Sequence, residues 1–408
     1  MAFTGCNAVG GKMGIRFLEH MSVNGKRLLI RVDYNVPIDQ GVIREDTRIR
    51  ASLPTLQKVL EQGAAVILCS HLGDPKGQVV PELSLKPVAE HLAKLLSRPV
   101  AMAPDCIGPE AERMALAMQP GQILLLENLR FHSGETKNDP EFSRHLARLG
   151  EIYVNDAFGT SHRAHASVAG VVKHFTKCCA GLLMQKEWEY LGLALADPKR
   201  PYVAISGGAK VSTKLGILNN LLDKVDRLII GGAMANTFIK AQGFSMGLSL
   251  VEEELLGEAR TIMDKAKEKG VALYLPVDFV FAASPKASSA AGVCAYQNVP
   301  EEQMVLDIGP ATRMLFAEVL TGAGTVVWNG PMGAFENQAF VQGSMAVAKA
   351  VAENAQVSIV GGGDTDAMLH AAGMTQKVSF ISTGGGAFLE FMEGKELPAF
   401  KALRECSK

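Results

Sequence analysis

Six short strings in this chain end hydrophobic runs with charged residues or glycines: RVDYNVP, SHLGDP, ENLRF, NDAFGTSHRAHAS, GGAKVSTK and GGGDTDAM. The first four lie before about residue 170 and supply arginines and histidines. Asp33 and Asn35 follow LLIRV, Arg48 opens the next helical stretch, His71 follows AVILCS, Arg130 follows ILLLEN, and Asp156 through His165 follow IYVN. Guanidinium forks bind carboxylate and phosphate at two points, so Arg48, Arg130 and Arg163 together can clamp a small molecule that carries both. The last two strings supply glycines, lysines and an aspartate. Gly207 and Gly208 let backbone approach a phosphate, and Lys210 and Lys214 add point charges. Gly361, Gly362 and Gly363 turn the chain ahead of Asp364 and Thr365. An aspartate beside an anion-binding turn repels phosphate unless it holds a cation, which makes Asp364 the magnesium candidate. The split points to an anionic substrate in the first half and a nucleotide in the second.

Any one of these strings alone is a weak signal. A lone arginine after a strand is ordinarily a solvated surface residue, and glycine clusters often do no more than make a tight turn. The weight comes from their placement. Short β-rich runs (LLIRVDY, AVILCS, ILLLEN, IYVND) alternate with helical patterns, as in βαβ units around buried parallel sheets. A second series runs through YVAISG, RLIIGG, ALYLPVDFVFA, MVLDIG, TVVWNG, VSIVGGG and VSFIST. The expected fold is therefore two doubly wound, Rossmann-like α/β domains, and nearly every unusual residue falls at the carboxyl end of a strand, where such sheets bind ligands. Between the series, QKEWEYLGLALADPKRP has helical spacing and stops at Asp197–Pro198, which reads as a connecting helix.

Composition narrows the function classes. At 408 residues the chain suits two domains. Hydrophobic residues make up 48%, yet no apolar run reaches the roughly 20 residues that span a bilayer. Basic residues number 41 against 42 acidic, so no net field favours nucleic acid or an anionic membrane. The 7 cysteines lack metal-type spacing, and Cys178 adjoins Cys179, so reduced thiols in a cytoplasmic protein are expected. The opening MAFTGCNAVGGK does not read as a signal peptide. No P-loop, protein-kinase HRD or DFG set, or Ser/His/Asp arrangement is present.

From about Lys26 to its end the chain resembles the phosphoglycerate kinase family. The likeness is carried by RVDYNVP, the DTRI containing Arg48, SHLG, ENLRF, VNDAFGTSHRAHAS, GGAKVSTK, VVWNGPMGAFE, GGGDT and STGGGAFLE. The resemblance implies reversible phosphoryl transfer from 1,3-bisphosphoglycerate to ADP, giving 3-phosphoglycerate and ATP, as used in glycolysis and gluconeogenesis. By that likeness Asp33, Asn35, Arg48, His71, Arg130 and Arg163 hold the glycerate substrate. Lys210 steadies the transferring phosphoryl group together with Arg48 and the helix start at Gly385 and Gly386. Lys214 and Asn329 attend the nucleotide phosphates, Glu336 the ribose, and Leu306, Gly231 and Gly232 the base, while Gly208, Pro331, Gly361, Gly362, Gly363 and Thr365 also belong to the nucleotide site. Asp364 meets Mg2+. The acceptor in the ATP-consuming direction is a carboxylate already ionised at neutral pH, so no general base is required, and catalysis reduces to positioning and charge cancellation.

The implied organisation is an N-terminal extension at residues 1–25, disordered in part, then a 3-phosphoglycerate-binding domain at 26–185. An interdomain helix at 186–201 acts as hinge, a nucleotide-binding domain spans 202–396, and a segment at 397–408 returns to the first domain. A monomer without nucleic-acid or membrane partners is expected. There is one departure: the family usually carries arginine where SHLGDP has Asp74, a substrate-side position. Reversing that charge removes an anion partner, and Lys76 replaces it only in part, since a lysine lacks the fork. A relative with altered or weakened acid-substrate binding is the alternative that Asp74 raises.

Overall fold

The computed structural model describes residues 14–406, and the chain divides into two units, Met1–Glu189 with Glu396–Lys408, and Tyr190–Lys395. The first is built on β1 (Arg27–Val32), a small antiparallel hairpin of β2 (Ile38–Asp39) and β3 (Val42–Ile43), β4 (Ala65–Cys69), β5 (Val100–Met102), β6 (Ile123–Leu125), β7 (Ile152–Asp156) and β8 (Cys178–Ala180). Six of these pair in parallel in the order β5-β6-β4-β1-β7-β8. β1 and β4 are central and covered on both faces, which is why LLIRV and AVILC read as unbroken apolar runs. Leu28, Ile30 and Val32 share a core with Ile49, Leu56 and Val59 of the helix Thr47–Glu61. Each such buried side chain contributes about 1.5–3 kcal/mol, and together they fix the end of β1 against the helix that carries Arg48.

The second unit contains β9 (Tyr202–Ser206), β10 (Arg227–Ile230), β11 (Ala272–Tyr274), β12 (Asp278–Ala282), β13 (Gly292–Ala295), β14 (Met304–Ile308), β15 (Thr325–Asn329), β16 (Val357–Gly361) and β17 (Phe380–Ser382). Its main sheet is also six-stranded and parallel, in the order β11-β10-β9-β15-β16-β17. Val203, Ile205, Val326, Trp328 and Val360 pack there against Phe316 and Val347. The two doubly wound sheets match the expected fold class.

Several local readings change. The run ALYLPVDFVFA is two strands, broken at Pro276, whose missing N–H interrupts a ladder. Its second half, β12, leaves the main sheet to pair antiparallel with β13 and β14. MVLDIG, as β14, therefore belongs to this small sheet and not to the parallel one. The three-residue strands β5 and β8 were not expected, because such short segments carry no readable period. Structure is already formed ahead of Lys26: Phe17 bridges to Ala180, and Leu18 and Val23 are buried. Residues 1–13 of the expected extension lie outside the described residues.

The connecting helix is Leu182–Ala196, ending ahead of Asp197 and Pro198. Trp188 on it meets the ring of Phe400 edge-on at 4.8 Å. Phe400 belongs to the terminal helix Pro398–Cys406, which packs in the first unit. That return corrects the expectation of wholly reduced thiols, since Cys178 and Cys406 form a disulfide across 228 residues of sequence. Alternation along β8 places Cys178 and its neighbour Cys179 on opposite faces, so only one of the pair meets the helix. Cys69, Cys106, Cys179 and Cys294 are free. Among the described residues no helix is long and apolar enough to cross a membrane.

Candidate functional site

In the first unit the candidate residues gather at the carboxyl ends of β1, β4, β6 and β7, four neighbouring strands. Asp33 is nearly buried and accepts from Arg48 Nη1 at 3.1 Å and from the Asn35 backbone N–H at 3.2 Å. Arg48 Nη1 also reaches the Asn35 carbonyl, and Asn35 Oδ1 in turn accepts from the Gly73 N–H at 2.9 Å. Arg130 donates from Nη1 to the Gly73 carbonyl at 2.7 Å. Its Nε, also buried, has no acceptor among the described residues. Arg163 stands exposed, with Nε 3.3 Å from His162 Nε2. The loops after separate strands are thus tied into one cluster.

His71 lies at the centre and is almost fully buried. Its Nδ1 faces Arg31 Nη2 at 3.2 Å. A guanidinium can only donate, so Nδ1 accepts and Nε2 carries the proton of a neutral ring. Burial, then the charges of Arg31, Arg130, Arg163 and Arg48, hold the His71 pKa well below the usual imidazole value. Burial and the charges of Arg130, Arg31 and Arg163 likewise lower His165 to about 4. Burial and the neighbouring Arg163 and Arg31 charges lower the pKa of Arg130 itself. A site whose cations depress one another's charged forms is one that an anion relieves.

Arg31 was missed by sequence reasoning. It is buried in mid-strand, donates from Nε to Ser167 Oγ at 2.8 Å, and so props His71 from below. Ser167 is itself bound by the buried carboxylate of Glu135 through its N–H at 2.9 Å and its hydroxyl at 2.6 Å. The available signal was a lone arginine inside the apolar run LLIRV.

In the second unit the site is made mostly of backbone. Gly208 has φ +95° and Gly232 φ +65°. A Cβ on Gly232 would lie 2.5 Å from the Gly208 nitrogen, so side chains are excluded where the two turns touch. Gly207 donates to the Asn329 carbonyl and Gly208 to that of Pro331, joining the ends of β9 and β15. Lys214 is buried ahead of the helix Leu215–Leu221 and donates from Nζ to the Asn329 carbonyl at 3.0 Å and to the Asn329 side-chain oxygen. Burial lowers its pKa to about 8 against the opposing pull of Asp364. Asn329 Nδ2 continues to the Gly361 carbonyl, and Thr365 Oγ1 accepts from the Gly330 N–H at 2.7 Å.

A cavity of about 430 Å³ opens beside this network. It brings together Gly208, Gly232, Leu306, Pro331, Glu336 and Asp364 from the sequence candidates. Asp364 sits in the first turn of the helix Gly363–Ala371, which Gly362 opens at φ +102°. One carboxylate lining the cavity, beside the glycine turn that opens this helix, fits Mg2+, which keeps most of its shell as water and phosphate oxygens. Asp307 also lines the cavity and was not foreseen; burial raises its pKa to about 7 although it accepts from the Gly343 and Ile308 N–H groups.

The remaining candidates are placed differently. Lys210 is exposed. Gly231 and Gly361 do not line the cavity: a Cβ on Gly231 would strike Met332 Sδ at 2.4 Å and one on Gly361 the Phe388 ring at 2.6 Å, so both serve close packing. Around Gly363 and Gly385 there is open space, and Gly385, at φ +48°, precedes the short helix Gly386–Met392.

A family model described as phosphoglycerate kinase matches residues 18–395. The phosphoglycerate kinase of Maridesulfovibrio salexigens is 54% identical over 398 residues, which is 96% of this chain and 100% of the relative. That of Moorella thermoacetica is 56% identical over 388 residues, covering 95% of this chain and 98% of the relative. Among solved structures, phosphoglycerate kinase from Coxiella burnetii superposes with a TM-score of 0.88 at 46% identity, covering 97% of this chain and 100% of that one. The Pyrococcus horikoshii enzyme follows with a TM-score of 0.82 at 32% identity, covering 96% and 99%.

Proposed function

The chain belongs to the phosphoglycerate kinase family, and from that premise we propose that it transfers a phosphoryl group between 1,3-bisphosphoglycerate and ADP, giving 3-phosphoglycerate and ATP. The observation that carries the acid half of this reading is the convergence of Arg31, Arg48, Arg130 and Arg163 on a neutral His71. A three-carbon acid with a phosphate at one end and a carboxylate at the other has the charge to satisfy them, including the unmatched Arg130 Nε. The nucleotide base lies against Leu306, and its phosphates lie against Gly208 and Lys214.

In the ATP-consuming direction the nucleophile is the substrate carboxylate, so no residue has to remove a proton. Arg48 and Lys210 cancel charge on the transferring group, and Lys210 is free to do so because its side chain extends into solvent. Asp364 holds Mg2+, which neutralises charge on the nucleotide phosphates when bound. Acid and nucleotide sites belong to different units, so transfer requires domain closure that brings them together and excludes water, with residues 182–196 as the hinge. The enzyme acts as a cytoplasmic monomer.

A coupled assay for ATP formation from 1,3-bisphosphoglycerate and ADP tests the reading, and absence of turnover in folded protein rejects it. Asp364→Asn keeps shape but loses charge, so turnover falls sharply and excess magnesium restores it only in part. An unchanged magnesium titration would reduce Asp364 to a helix-capping residue.

A further inference from the structure

A second convergence of ligating side chains lies in the first unit, in none of the roles above. Asp105 and Cys106 occupy the loop between β5 and the helix Pro109–Leu116, and His132 closes the turn Leu129–Phe131 after β6. β5 and β6 are hydrogen-bonded neighbours in parallel, so both loops leave the same end of the sheet. One donor atom from each side chain, a carboxylate oxygen, a thiol sulfur and a ring nitrogen, lies within 4.8 Å of the other two. Asp105 Oδ1 faces His132 Nε2 at 2.7 Å and accepts from the Cys106 backbone N–H at 2.6 Å. The Cys106 thiol bonds to the same carboxylate. The sulfur is fully buried, whereas the Asp105 and His132 side chains are 46% and 32% exposed, so the group has a dry floor and an open mouth.

We propose that Asp105, Cys106 and His132 bind a divalent transition-metal ion of the zinc type, with water completing a four-coordinate shell. The donor set argues for the class. Thiolate, imidazole and carboxylate on one ion suit borderline-soft Zn2+, and a sulfur ligand disfavours Mg2+ and Ca2+, which take oxygen. The unloaded geometry is that of a site filled by protons: the imidazole and the thiol both point at one carboxylate. On loading, the sulfur–hydrogen bond breaks as the sulfur–metal bond forms, and the thiol proton leaves to water. Nε2 donates to the Asp105 carboxylate in the unloaded site, so its proton shifts through water to Nδ1 as Nε2 binds the ion. A thiol has to lose its proton to ligate a metal, so uptake releases protons. Tetrahedral ligands at about 2.0 Å from zinc stand roughly 3.3 Å apart, so the Asp105–His132 contact, 2.7 Å in the unloaded site, has to widen by about 0.6 Å. The His132 ring is already steadied against Phe142 at 5.5 Å.

The site is distinct from Asp364, so its test does not read turnover. Full-length protein, with Cys6 and Cys294 replaced by alanine and kept unreduced so that Cys178–Cys406 stays closed, is titrated with Co2+ and then Zn2+. Expected are one equivalent of Co2+ bound with release of protons, the sulfur-to-cobalt charge-transfer band and intense tetrahedral visible bands, and displacement by zinc with no further proton release. Cys106→Ala abolishes the charge-transfer band, and His132→Ala and Asp105→Asn each weaken zinc binding by roughly tenfold or more. Asp105 and His132 are partly exposed, so these two variants read out the site even if loss of the buried cysteine disturbs folding. Absence of a sulfur band in the parent protein, or zinc affinity unchanged in the Asp105 and His132 variants, overturns the assignment.

Discussion

The two candidate sites stand at the ends of two six-stranded parallel sheets and are built from different materials. Ranked by position in the chain, the second sheet runs 3-2-1-4-5-6 and the first 3-4-2-1-5-6. In both, strand order reverses beside the first strand, and the candidate residues stand at that reversal. At the β9/β15 crevice the candidate site is built of backbone at Gly207, Gly208 and Pro331, and Lys214 is buried there and bound to Asn329. Around the carboxyl ends of β6, β4, β1 and β7 the cluster is built of guanidinium groups with few acidic partners, propped by Arg31 and the Asp33–Arg48 ion pair. Backbone donors cost little to keep in place and discriminate weakly. Crowded arginines oppose one another and reward only a ligand with matching negative charge.

The sharpest way to break this comparison is to remove one cation from the crowded side. Arg48→Ala leaves Asp33 and the loop after β1, so loss of a charge-cancelling donor should lower turnover by roughly a thousandfold. Nucleotide affinity, measured by calorimetry in the absence of the acid, stays within about twofold because Arg48 belongs to the other unit. Near-normal turnover would show that Arg48 only pairs with Asp33.

How much of this was readable in the sequence follows the same division. Arginines and histidines announce themselves by type, so His71 and Arg130 were legible at strand ends and Arg48 at the opening of a helix. Arg31 was hidden because it lies within a strand rather than after it. Glycines are ambiguous: GGGDT places Gly362 at a left-handed opening of a helix but Gly361 under Phe388, and only three-dimensional packing separates those uses. The parallel sheets followed from long apolar runs. The antiparallel sheet of β12–β14 and the Cys178–Cys406 bond did not, because they depend on contacts distant in sequence.

A pH titration sharpens the other side. In the free protein Lys214 loses its proton near pH 8 instead of the ordinary 10.5. Below that value it is charged and supports phosphate binding; as pH rises through it, nucleotide affinity should fall by up to about tenfold per unit. Stability runs the opposite way. Between pH 8 and 10.5 the unfolded chain binds the proton that the folded chain has released, so this residue's contribution rises with pH. Lys214→Met should weaken nucleotide binding at neutral pH and flatten its pH dependence; a slope above pH 8 that survives the substitution assigns it to another group.

The smallest expected effect concerns Asp74. It is exposed in the loop after β4, yet its negative charge reaches Arg130 and opposes the lowering of that arginine's pKa. It therefore spends part of the positive field that the acid substrate would otherwise meet. Gly73 ties this loop to the cluster by accepting from Arg130 and donating to Asn35, so position 74 is held beside the anion site. A hydrogen bond to a charged group is worth about 1.5–3 kcal/mol, and solvent screening at an exposed position brings that toward the lower end. Asp74→Arg should thus tighten 3-phosphoglycerate binding by about tenfold, with the gain shrinking as salt is added. Nucleotide affinity should not move. Lys76, two residues on and also exposed, is the competing partner. If it already answers the substrate, calorimetric titration of 3-phosphoglycerate at fixed salt gives equal affinities for both forms, and Lys76→Ala costs more than Asp74→Arg gains. A gain confined to Asp74→Arg, by contrast, makes the acidic residue a brake on the crowded-arginine site, one that the backbone-built nucleotide site does not carry.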